Sequence, residues 1–172
     1  MKELVLKAQH GDTQAFTDLI LMIKHDLYKI AKMRLVCNAD IDDVIQDTII
    51  ETYKHISKLK DVEAFKPWIE KILINKCNRM YRKKKFSEIA FKEEIENYLV
   101  QEADNLSKSD VEFYQLIKFL DYEERMIVTL YYLERYTTKE IGQILGVNEN
   151  TIKTKLARSK VKIKNNYKEE IV

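Results

Sequence analysis

The sequence predicts an all-α protein of two small helical domains joined by an acidic linker, and three observations carry that prediction. Only 3 Gly and 1 Pro interrupt 172 residues, apolar side chains recur at the helical period over long stretches, and charge is sorted along the chain. Residues 1–85 hold 17 cations against 12 acids, residues 86–112 hold 2 against 8, and residues 113–172 hold 11 against 8. Two basic blocks flanking an acidic one place a first domain at 1–86, a linker at 87–110 and a second domain at 111–172.

Composition also narrows the function. Gly-rich phosphate loops, nucleophile elbows, convergent carboxylates and paired histidines are missing, so no enzyme and no catalytic residue is expected. Cys37 and Cys77 are the only cysteines; they read as reduced, partly buried thiols, and no His/Cys cluster has metal-ligand spacing, so neither metal nor cofactor is expected. The chain lacks a positively flanked N-terminal apolar run and any stretch near the roughly eighteen apolar residues of a membrane span, which predicts a soluble, cytoplasmic protein.

A short helix over residues 2–9 ends at His10 and Gly11, and Asp12 can cap a long helix from Thr13 to about Val36. Phe16, Leu19, Ile20, Ile23, Leu27, Ile30 and Ala31 form its core stripe. Asn38 and Asp40 break and recap the chain before a third helix from about Ile41 to Ile56. Val44, Ile45, Thr48, Ile49, Thr52 and Ile56 fall inside; Asp42, Asp43, Gln46, Asp47, Ile50 and Glu51 fall outside. An acidic face with an exposed isoleucine is either solvent-facing or a dock for a basic helical partner. The connection from Ser57 to Glu63 is polar and carries Lys58, Lys60 and Asp61.

Pro67 suits the first turn of a fourth helix, with Trp68, Ile72 and Leu73 inward. That helix closes on Lys76, Arg79, Arg82, Lys83, Lys84 and Lys85 with no acid between Lys71 and Phe86. With Asn75, Asn78 and Tyr81 interleaved, the run reads as a nucleic-acid surface rather than a helix end placed against its own dipole. Residues 86–110 have weak periodicity and one helical piece, Ile89–Val100. They read either as a flexible tether or as an acidic segment that imitates nucleic acid and threads a basic channel.

The second domain opens near Val111 with Leu116, Ile117 and Leu120, then a helix capped by Asp121 with Glu124 three residues on and Ile127, Leu130 and Tyr131 inward. Residues 137–164 read as a helix-turn-helix. Thr137 and Glu140 have capping-box spacing, Ile141, Ile144 and Leu145 make one stripe, Gly146 stops the helix and Val147 plugs the turn. Asn148 caps a second helix that buries Ile152, Leu156 and Ile163 and turns Asn150, Thr151, Lys153, Thr154, Lys155 and Arg158 outward. Short polar groups followed by cations suit a major-groove helix, with base edges met first and phosphates further along. No acid occurs from Asn150 to Tyr167, whereas a merely solvated face mixes signs.

Ordered motifs along most of the chain resemble the extracytoplasmic function class of bacterial sigma factors. Gly11-Asp12-x-x-Ala15-Phe16, Asp42-Asp43-x-x-Gln46-Asp47 with Ile49, Ile50 and Tyr53, and Phe65-x-x-Trp68-Ile69 with Asn75 and Arg82 are similar to its second conserved region. Glu124-Arg125, Glu140-Ile141, Leu145-Gly146-Val147 and Thr151-Ile152-Lys153 through Leu156-x-Arg158 are similar to its fourth. The resemblance implies that Asp42, Asp43, Gln46, Asp47 and Ile50 meet the clamp coiled coil of the β′ subunit of core RNA polymerase, with further contacts to the β subunit. It implies that Lys58, Lys60, Asp61, Asn75, Arg79, Arg82 and Lys83 handle the downstream (−10) element with a base held out of the stack. It implies that Asn150, Thr151, Lys153, Thr154, Lys155 and Arg158 read the upstream (−35) duplex, and that the acidic linker passes toward the RNA exit path. The family often carries Asp where this chain has Arg79, and the added cation strengthens phosphate affinity. With no metal-binding pattern and no extension past Val172, control is expected from a separate anti-sigma factor, possibly membrane-bound, acting on a protein that is a monomer when free.

Two other readings compete with this one. A conventional activator or repressor would pair the helix-turn-helix with an N-terminal sensing or dimerisation domain, which has little use for a second basic helix. An adaptor without a DNA role would need neither basic helix.

Overall fold

The computed structural model describes residues 1–35, 37–84, 88–101 and 108–169, and all its regular elements within them are helical. They fall into two compact units, Met1–Lys83 and Lys84–Val172. In the first, α1 (Lys2–Gln9), α2 (Thr13–Lys32), α3 (Asn38–His55) and α4 (Phe65–Lys84) follow one another, with short 3-10 turns at Ile56–Lys58 and Val62–Ala64. In the second come α5 (Glu88–Gln101), α6 (Lys108–Ile117), α7 (Tyr122–Tyr132), α8 (Thr138–Leu145) and α9 (Glu149–Glu169).

Asp12 caps α2 by accepting from the Ala15 amide at 2.9 Å, and all seven residues of the expected stripe are buried. The helix stops at Lys32, earlier than the pattern suggested; Val36 lies outside the described residues. Residues 31–35 are all buried, so the end of α2 and the turn after it lie inside the unit. The Lys32 ammonium donates to Asn38 Oδ1 at 3.1 Å, so Asn38 stitches α3 to α2 and does not cap. The third helix accordingly starts at Asn38 rather than Ile41, with Asp40 buried in its first turn, where the helix dipole favours a carboxylate.

On α3, Val44, Ile45, Thr48 and Thr52 are buried as expected, while Ile49 is half-buried. The inner line of α4 differs more. Phe65, Ile69, Leu73 and Cys77 repeat every fourth residue and are fully buried, whereas Trp68 and Ile72 sit half-buried at the edge. Glu70 is also wholly buried, and Lys66 links Asp26 of α2, at 2.8 Å, to it at 3.8 Å. A buried carboxylate of this kind needs a charged neighbour, and Lys66 stands one turn earlier on the same helix.

Where a linker was expected, α5 packs within the second unit. Ile95 is buried, the Tyr98 and Tyr114 rings meet edge-on at 5.3 Å, and Lys118 lies 3.9 Å from Glu96. Residues 102–107 lie outside the described set. The centre of the unit is α7, in which every residue from Glu124 to Leu130 is buried, although Tyr131 is only half so. Asp121 and Glu124 form the expected capping box, and Arg125, almost fully buried, donates from Nη1 to the Leu120 carbonyl at 2.7 Å.

Candidate nucleic-acid interface

The helix-turn-helix forms for the local reasons its residues suggested. Thr137 and Glu140 make a reciprocal capping box: the Thr137 hydroxyl oxygen accepts from the Glu140 amide at 3.3 Å, and the Glu140 carboxylate accepts from the Thr137 amide at 2.8 Å and from its hydroxyl at 2.7 Å. The two bonds that the carboxylate accepts hold the Glu140 carboxyl below the usual carboxylate range. Gly146 takes the left-handed conformation at φ 69° and ends α8, and Asn148 Oδ1 accepts from the Asn150 amide at 2.8 Å to start α9.

Val147 does not plug the turn; its side chain is 38% exposed. The close approach is made by its carbonyl instead, which would lie 2.7 Å from a Cβ placed on Gly142. A glycine inside an eight-residue helix therefore sets how tightly the turn folds back on α8, a role that spacing alone did not reveal. Thr138 then ties the two helix starts together by donating to Glu149 Oε1 at 3.0 Å.

On α9, Ile152 and Leu156 are buried and Ile163 half-buried, while Ser159, unnoticed in the sequence, is fully buried and donates to the Lys155 carbonyl. Asn150, Thr151, Lys153, Thr154 and Arg158 are exposed together, so the expected reading set shares a face except for one member. Lys155 is half-buried and paired with Glu123 of α7. Other cations are engaged too: Lys153 with Glu149 at 2.9 Å, and Lys162 with Glu124 at 2.7 Å. The Lys153 contact, with Thr138 second, lowers the Glu149 carboxyl from its usual value; the Glu124 contact raises the Lys162 ammonium.

The first unit presents a different surface. Gln9 donates from Nε2 to the carbonyls of Ile56 and Leu59 at 3.0 and 2.7 Å, and Lys2 pairs with Glu63 at 2.9 Å, so α1 clamps the connection that carries Lys58, Lys60 and Asp61. These three are exposed, and Asp61 also accepts from the Glu63 amide at 3.0 Å. Along α4, Asn75, Arg79, Arg82 and Lys83 are exposed. The cationic run is not wholly unrelieved, because Lys76 bonds Glu51 of α3 at 2.7 Å and thereby lowers that carboxyl. Lys85 lies outside the described residues. On α3, Asp42, Asp43, Gln46 and Asp47 are exposed and Ile50 is 51% exposed, so all five occupy the outer side.

Among the described residues no group of three or more His, Cys, Asp or Glu is arranged to hold a metal ion, and no helix is long and apolar enough to cross a membrane. Among the described residues, an all-helical arrangement with a helix-turn-helix and a separate basic helix suits a DNA-binding regulator of transcription. Comparison with known proteins narrows the class. Residues 19–87 match the family model described as Sigma-70 region 2, and residues 110–163 match that described as Sigma-70, region 4.

The chain is 24% identical over 161 residues to the ECF RNA polymerase sigma factor SigM of Mycobacterium tuberculosis, covering 94% of this chain and 81% of the relative. It is 25% identical over 173 residues to the ECF RNA polymerase sigma factor SigW of Bacillus subtilis, covering 93% and 92%. Its fold is similar to that of CnrH, solved in complex with the cytosolic domain of CnrY, with a TM-score of 0.72, 21% identity and coverage of 98% and 97%. It is also similar to the sigma factor RpoE of Bartonella quintana, solved with the anti-sigma factor NepR, with a TM-score of 0.68, 18% identity and coverage of 89% and 96%. The chain belongs to the sigma-70 family, in its extracytoplasmic function class of transcription initiation factors. The region 2 match occupies the half in which a conventional regulator would carry its sensor, and that alternative is not favoured.

Proposed function

We propose that this protein, itself without catalytic activity, binds core RNA polymerase through the outer side of α3, reads the upstream promoter element as duplex with α9, and holds the separated downstream strand against α4. The observation that carries the proposal is the division of exposed chemistry: Asp42, Asp43, Gln46, Asp47 and Ile50 on one helix, Asn75, Arg79, Arg82 and Lys83 on another, and Asn150, Thr151, Lys153, Thr154 and Arg158 on a third. An acidic face with an apolar centre suits a basic protein helix. Exposed cations along a helix suit a single strand, and short polar groups at a helix start suit base edges.

The partners are core polymerase, promoter DNA and an anti-sigma factor that covers the polymerase-binding surfaces while the protein waits in the cytoplasm as a monomer. An apolar groove of about 450 Å³ in the second unit, lined by Phe113, Leu116, Val128, Tyr132 and Ile163, supports a protein partner there as well. Co-elution with core polymerase tests the proposal, with Asp43→Lys as the control. The wild type should co-elute and the variant should not, while its helicity and thermal midpoint stay unchanged. A wild-type protein that remains apart from polymerase, copurifies with no anti-sigma factor and binds duplex DNA alone as a dimer would replace this reading by that of a conventional regulator.

A further inference from the structure

The reading helix is less cationic than its sequence. Lys153 is bridged to Glu149, Lys162 to Glu124 and, at 3.8 Å, to Asp121, and Lys160 lies 5.7 and 5.8 Å from the Tyr131 and Tyr132 ring centres. Arg158, by contrast, is exposed and has no charged partner among the described residues. The Lys155 pair differs from the others in what its acid is otherwise for. Glu124 completes the capping box of α7 and Asp121 is its cap, so both have structural duties. The Glu123 carboxylate has no such duty among the described residues: its backbone amide donates to Asp121, but its side chain pairs there with Lys155 alone, 32 residues on. An acid in the first turn of a helix is already favoured by the dipole, but the dipole does not account for a lysine brought from another helix onto it.

Resting on the reading of α9 as the duplex-reading helix, we infer that Glu123 is a positioning residue that sets promoter specificity by holding Lys155 in an internal ion pair and withholding that cation from DNA phosphates. A cation that already has a protein counter-ion must lose it before it can meet a phosphate, so it releases less salt on binding and adds less to sequence-independent affinity. Base contacts from Asn150, Thr151 and Thr154 are unaffected by the pair, so discrimination rises as the non-specific background falls. The pair also steers Lys155 toward α7 and away from the exposed side shared by those three residues.

The test uses holoenzyme assembled from the full chain and core polymerase, with an upstream duplex selected by the wild type from a randomised pool and a scrambled duplex of the same composition. Glu123→Gln keeps the length and polarity of the side chain and leaves the capping box intact. It should steepen the salt dependence by about one unit, raise affinity for the scrambled duplex about fivefold at low salt, and lower the ratio of selected to scrambled binding. Adding Lys155→Ala to Glu123→Gln should restore the wild-type slope. An unchanged slope and ratio in the Glu123→Gln holoenzyme, or weaker binding to both duplexes, would overturn the inference. Failure of the parent reading looks different: the wild type would then show no preference between the two duplexes, and Asn150→Ala with Thr151→Ala would change nothing.

Discussion

The two basic helices that look alike in sequence differ in how many of their cations are bridged. On α9, Lys153, Lys155 and Lys162 are each bridged to a carboxylate of their own unit. On α4, Lys76 is bridged, yet Arg79, Arg82 and Lys83 stand exposed without an acidic partner among the described residues. Free cations give affinity that depends steeply on salt and little on sequence, which fits the strand contact proposed for α4. Bridged cations leave orientation and base contacts to decide, which fits the duplex reading proposed for α9. The difference lies in what faces each helix, because α7 opens with Asp121, Glu123 and Glu124 while the end of α4 runs beyond its acidic neighbour on α3.

The sharpest way to break this comparison is to remove the free set. Replacing Arg79, Arg82 and Lys83 together by Ala should lower the salt slope of open-complex formation by about two units, at roughly 0.7 per single-strand phosphate, with an affinity loss on the order of a hundredfold at low salt. A filter-binding titration from low to high salt measures it, and an unchanged slope would remove the three from the strand surface. Gly142→Ala should come next. The new methyl meets the Val147 carbonyl at 2.7 Å, so the turn must open, costing about 1–3 kcal/mol; hydrogen exchange should rise in the second unit and stay constant in the first.

Thr137→Ala deletes the reciprocal cap of α8 and should cost about 1 kcal/mol, read as a lower midpoint in thermal or urea unfolding. Lys153→Ala should lower the salt slope by well under one unit, because its bridge to Glu149 already supplies a counter-ion. A full unit would show α9 behaving like α4 and erase the contrast between them. The smallest effect concerns the thiols. Burial pushes the Cys77 thiol up to about 12, so at pH 8 it stays protonated and enclosed, whereas Cys37 is exposed. Mass spectrometry after mild alkylation should find label on Cys37 alone, with Cys77 reacting only on unfolding.

Local chemistry was legible in the sequence. Asp12, Thr137 with Glu140, Gly146 and Asn148 act on backbone groups within a few residues, so their spacing suffices to place them. The stripes of α2 and α3 were legible for a related reason: one face of a helix meets one core. Reading failed where two elements compete for a residue. Asn38 resembled a cap until Lys32 claimed its oxygen, and Val147 resembled a plug until its carbonyl, not its side chain, made the contact with Gly142. In the expected linker, the helical piece at Ile89–Val100 was legible and forms within α5, but a weakly periodic acidic segment gives no sign that Tyr98 meets Tyr114 of α6.

By itself, then, the sequence determined the helical class, most caps, the helix-turn-helix and the family, because these depend on short-range geometry and on motif order. Tertiary structure decided which charges are bridged from one helix to another, whereas the Lys153–Glu149 pair is an i,i+4 contact within α9. Glu51 and Lys76 are 25 positions apart and Glu123 and Lys155 are 32, and no periodicity relates them. An ion pair between helices depends on how their faces are brought together in packing, and that is a property of the folded chain rather than of either segment.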